Sequence, residues 1–95
     1  MDYLDILKNN KDIFFNFMEA KYPLYKDSNI FLRDLLYAIK NFFEKKNSEL
    51  SYSTAENLAL AFAAYLEANG EFTKLRFDTW RVNFSTEKVV KEEAA

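Results

Sequence analysis

A mostly helical α+β fold is predicted, on three observations. Three stretches of the chain place apolar residues at a helical spacing of three and four. After Gly70 the spacing changes to two, as in a half-buried strand. Of 95 residues, 49% are apolar, enough for one modest core in one domain. The expected architecture is three helices followed by a C-terminal β-hairpin, with a short terminal helix allowed by the last residues. Residues 1–84 are expected to form a single globular domain, and 85–95 a charged tail or short helix.

Residues 2–21 read as one helix. Asp5, Lys8, Asp12, Asn16 and Glu19 fall on one face, with Leu4, Leu7, Phe14 and Met18 opposite. Ile6, Ile13, Phe15 and Phe17 widen the apolar arc to roughly 200°, about twice what one core face requires. Such a helix either packs between two neighbours or presents a surface to a partner. Pro23 ends it, because the residue before proline is driven out of the helical region.

The second helix is expected after Asp27 and Ser28, which suit an N-cap, and extends to about Lys46. Leu32, Leu35, Leu36, Ile39, Phe42 and Phe43 supply its inner face. Ile30 and Tyr37 fall on the polar side, out of place for a monomer. The third helix begins with a capping-box spacing, Ser53-Thr54-Ala55-Glu56, and runs to Asn69. Gly70 then occupies the position that a left-handed C-cap needs.

Beyond Gly70, Trp80, Val82 and Phe84 alternate with Thr79, Arg81 and Asn83. Leu75 and Phe77 alternate with Lys74 and Arg76 on the preceding stretch. A hairpin is predicted, its apolar residues on the helices and its cations in solvent. The link near Asp78 and Thr79 lacks the glycine that a tight primed turn prefers.

The residue inventory narrows the chemistry. The chain has no His and no Cys, so it lacks the commonest general base, the commonest metal ligand and any thiolate. One Gly cannot build a glycine-rich phosphate loop. The nearest carboxylate pairs, Asp2 with Asp5 and Glu92 with Glu93, lie near the chain ends. No catalytic, metal-binding or cofactor-binding residue is assigned, and a non-enzymatic protein without cofactor or small-molecule substrate is expected. The longest apolar run, Leu58 to Leu66, is far short of the roughly 20 residues that span a bilayer. With an acidic N-terminus in place of a secretory signal, a cytoplasmic location away from membranes is expected.

Three helices followed by a hairpin resembles, in element order, a winged-helix domain. That resemblance implies nucleic-acid binding, with the third helix in the major groove. Residues 54–69 contain no Lys or Arg, however, and Glu56 and Glu67 would meet the phosphate backbone. The cations of that alternative are Lys74, Arg76 and Arg81 on the hairpin.

Ten Phe, six Tyr and one Trp are a heavy aromatic load for so short a chain. Phe15 and Phe17 lie about 160° apart around one helix, Tyr37 sits among charges, and Leu60 sits on an alanine-lined face. Aromatics dominate interface hot spots. The leading expectation is therefore a protein-interaction or self-association module, binding a protein partner or forming a homodimer through Phe15, Phe17, Tyr37 and Leu60.

Overall fold

The computed structural model describes residues 2–20, 24 and 26–84. Helices α1 (Tyr3–Asn9) and α2 (Lys11–Glu19) are followed by strand β1 (Asn29–Phe31). Helices α3 (Leu32–Glu44) and α4 (Tyr52–Ala68) come next, then strands β2 (Phe72–Arg76) and β3 (Thr79–Val82). The three strands form one antiparallel sheet in the order β1-β3-β2. The mostly helical α+β class and the C-terminal hairpin are as the sequence predicts. The terminal segment 85–95, read as a tail or short helix, lies outside the described residues, as does Pro23.

The single first helix is in fact two. Asn10 (φ −119°, ψ 33°) leaves the helical region, ending α1 and capping α2. Its side-chain amide and its backbone N–H both donate to the Ile6 carbonyl, at 2.9 and 3.0 Å. Asparagine competes with helical backbone for such bonds, so it breaks helices where it can. The break divides the wide apolar arc between two segments and several neighbours. Phe15, expected on an interaction surface, is only 4% exposed. Its ring stacks on Phe62 of α4 and meets Phe84 at 4.8 Å. Phe17 turns the other way and packs partly buried against Phe42 of α3, 5.7 Å between centroids. The helix is wrapped from both sides, which removes Phe15 as a docking residue.

Phe14 lies at the centre of the core. It meets Phe42, Phe62 and Phe15 at centroid distances of 5.3, 5.6 and 5.7 Å, mostly edge-to-face. That geometry suits the ring quadrupoles and adds to simple burial. Much of the aromatic load is spent here.

Both long helices end on the same device. Ser48 N–H donates to the Phe43 carbonyl and Asn47 N–H to Glu44, with Asn47 left-handed at φ 63°. Glu71 N–H donates to Leu66 and Gly70 N–H to Glu67, with Gly70 at φ 78°. Each is a Schellman closure, and Gly70 fills the C-cap role its position predicts. The N-terminus of α4 begins earlier than the Ser53 box implies. Ser51 is the N-cap, its hydroxyl accepting from Thr54 N–H at 3.2 Å.

Strand β1 is new relative to the sequence reading, which gave these residues to a helix. Ile30, out of place on a helix, is 3% exposed as a strand residue opposite Trp80. Asp27, with φ 71°, turns the chain into the strand, and α3 starts only at Leu32. The inner face of the sheet (Ile30, Phe72, Trp80 and Val82) is buried with the helical core.

Candidate functional site

The hairpin departs from the predicted alternation at its far end. Leu75 and Phe77, expected inward, are 46% and 75% exposed. The register explains it. Lys74 lies opposite Trp80, but Arg76 lies opposite Thr79, so a bulge falls at Leu75 and breaks the two-residue period. The turn residues Phe77 and Asp78 have no positive φ, so the tight primed turn is absent. With no glycine in the turn, Phe77 is left at the tip.

The tip is fixed on its other side by the junction of β1 and α3. Leu32 N–H donates to the Asp78 carbonyl at 2.9 Å, and Thr79 Oγ1 donates to the Asp78 carboxylate at 3.0 Å. Phe31 lies across from Thr79 and is 50% exposed. Phe31, Leu75 and Phe77 thus give one end of the sheet three large exposed apolar side chains, on three different segments. Lys74, Arg76 and Arg33 are exposed around them.

The three hairpin cations do not form one ribbon face, as the alternation implied. Lys74 is opposite Trp80, on the side of the sheet that carries the core, whereas Arg81 is opposite Thr73 on the outer side. Arg76 pairs with Thr79, two positions from Arg81, and shares the outer side with it. All three are exposed.

The remaining candidates lie on the helices. Tyr37 of α3 is exposed and meets exposed Tyr52 of α4 edge-on at 6.2 Å. Leu60 is exposed further along α4. An open cleft of about 630 Å³ between α1 and α4 is lined by Asp2, Tyr3, Leu4, Thr54, Asn57, Leu58 and Ala61. Its one carboxylate, Asp2, accepts from Leu4 N–H at 3.0 Å as an N-cap. Among the described residues, no group of three or more acidic side chains is placed to hold a metal ion, and no helix is long and apolar enough to cross a membrane.

One ion pair ties the helices to the hairpin. Lys11 of α2 reaches both carboxylate oxygens of Glu71 at 2.9 Å. The hydrogen bond and the charge of Glu71 hold the Lys11 ammonium above its ordinary pKa, against a smaller opposing effect of burial. A second tie is the Trp80 indole N–H, which donates to Glu67 at 2.7 Å. The first joins α2 to the α4–β2 junction, and the second joins the C-terminal end of α4 to β3.

The sequence did not single out Phe31, Leu75 or Phe77 as surface residues. The signal for Phe77 was present in the missing turn glycine. Phe31 could be found only by moving residues 29–31 from helix to strand. No family model, curated protein or solved structure matches this chain.

Proposed function

We propose that the chain is a non-catalytic interaction module that docks a protein partner through the tip of its sheet. The observation that carries this reading is the exposure of Phe77, three-quarters open to water at the end of the sheet where Leu75 and Phe31 are also exposed. Apolar side chains grouped at one site and rimmed by charge are the usual composition of a binding surface. The reading keeps the interaction role expected from the aromatic load but moves it from the helices to the hairpin. Tyr37, Tyr52 and Leu60 offer a secondary helical surface, and self-association through either surface is a variant of the same reading.

The test is affinity capture with the full chain, comparing Phe77→Asp and Leu75→Asp with Tyr37→Asp. Both tip substitutions are expected to abolish recovery of a specific partner without lowering the melting temperature, while Tyr37→Asp leaves recovery intact. Undiminished recovery with Phe77→Asp overturns the reading.

Nucleic-acid binding is the second reading, favoured by Arg76 and Arg81 on one side of the sheet near Phe31, where a cation and an aromatic can grip an unpaired strand. Against it stand the lack of cations on α4 and the net charge of −2. It predicts a salt-dependent shift of labelled oligonucleotide that Arg76→Ala and Arg81→Ala remove.

A further inference from the structure

The order β1-β3-β2 leaves β2 with one side unpaired by any strand among the described residues. The phase of the ladder shows which peptide groups face that side. Asn83 N–H donates to Glu71 C=O, so β3 turns residues 81 and 83 toward β2. Val82 N–H donates to Ser28 C=O, and Leu32 N–H to Asp78 C=O, so residues 78, 80 and 82 turn toward β1. Antiparallel ladders alternate in this way. Lys74, opposite Trp80, therefore directs its own N–H and C=O away from β3, toward the open edge. Phe72, opposite Val82, has the same phase but is only 2% exposed, so the accessible stretch of the edge is the one around Lys74.

We infer that β2 receives an extended acidic segment of a partner protein as a fourth strand. The inference rests on the interaction-module reading and names the chemistry of the partner. An open edge gives affinity through main-chain bonds, and flanking side chains give selectivity. The charges on the strand have one sign: Lys74 and Arg76 lie on β2, Arg81 lies behind it, and the two nearest carboxylates are engaged elsewhere, Glu71 by Lys11 and Asp78 by the Thr79 hydroxyl. This is a local reversal in a chain whose net charge is negative. A second copy is the poorer occupant. The full-length antiparallel register of β2 on itself sets Lys74 opposite Lys74 of the other copy, and like charges directly opposite are unfavourable. An acidic strand turns the same positions into attraction, and Leu75 and Phe77 supply apolar contact beside it.

The probe is a fluorescein-labelled peptide of eight residues, alternating glutamate and valine, with a lysine–valine peptide as its counterpart. Polarisation measures binding to the full chain, and amide hydrogen exchange locates it. The acidic peptide is expected to bind and the basic one not to, with slowed exchange at the Lys74 amide. Lys74→Pro removes the outward N–H at an edge position where proline is tolerated. It should weaken binding at least tenfold, whereas Lys74→Gln, which keeps the N–H, should weaken it only a few-fold. Equal binding by Lys74→Pro and Lys74→Gln overturns the inference. So does binding without protection of the Lys74 amide, a measurement on the unaltered chain that stands even if the proline variant misfolds. Displacement of the peptide by an unstructured oligothymidine with no change at Lys74 assigns the cations to phosphate instead. If Phe77→Asp loses a native partner that Lys74→Pro retains, the module reading stands and strand addition alone fails.

Discussion

Glu67 offers a quantitative test of how α4 is fastened to the sheet. Its carboxylate accepts the Trp80 indole N–H at 2.7 Å, and Trp80 is 1% exposed. Glu67→Ala leaves that buried donor unpaired, at a cost of about 1–3 kcal/mol. Glu67 also lies in the last turn of α4, where a negative charge opposes the helix dipole by about 0.3–1 kcal/mol. Removing the charge returns that amount, so the net loss for Glu67→Ala centres on about 1–2 kcal/mol within outer limits of roughly 0 and 2.7. Glu67→Gln keeps an acceptor and relieves the dipole, so its net change should fall within about 1 kcal/mol of zero. In a domain of this size each kcal/mol moves the melting temperature by roughly 4–8 °C. Glu67→Ala should therefore melt about 4–16 °C lower, and Glu67→Gln close to the parent. Urea unfolding followed by the fluorescence of Trp80, the one Trp, reads the same site directly. Equal stability of the two variants, or no loss in Glu67→Ala, would refute the fastening role.

Four further outcomes follow from the core, the helix ends and the ion pair. Phe14→Ala should cost about 3–5 kcal/mol, a large share of a total of roughly 5–14 kcal/mol, measured by urea unfolding. Gly70→Ala meets no atom within 4 Å yet must hold φ at 78°, so a loss of about 1–2 kcal/mol reports backbone strain alone. Asn47→Gly, at the matching position after α3, should be neutral or slightly stabilising in the same thermal assay. Lys11→Met should cost about 0.2–1 kcal/mol at pH 7, as expected for a largely solvated pair. Because folding raises the Lys11 pKa, the pair's contribution is complete below the unfolded value near 10.4 and is lost as pH rises through the folded one. The deficit of Lys11→Met should therefore be constant between pH 7 and 9 and shrink above about pH 10.5, in urea titrations at each pH.

The elements that could be read from the sequence were those with periodic apolar faces and marked ends. Helix α4 and its Gly70 terminus belong to this group, as does the alternation from Trp80 to Val82. What failed were places where one residue outweighed the period. Asn10 bends a run that is helical by spacing, and only its side-chain bond to Ile6 shows why. Ile30 was a misfit on a helix, and the misfit itself marked a strand whose partner lies far along the chain. Leu75 alternates correctly on paper, but the bulge at that residue reverses which side faces water. Phe15 and Phe17 lie too far apart around the helix for one core face. The structure answers with two faces, and a single sequence carries no sign of the second.

The pairing of β1 with β3 also shapes how this chain folds. Asn29 meets Arg81 about fifty residues later, while α3 meets α4 across a link from 45 to 51. Loop-closure entropy grows by about 0.6 kcal/mol per doubling, so the strand pairing starts roughly 1.5–2 kcal/mol behind the helix pairing. The α3–α4 contact is thus the natural nucleus, and the sheet closes afterwards. Substitutions at Tyr37 or Tyr52, which meet between α3 and α4, should slow folding, while one at Ile30 should mainly speed unfolding.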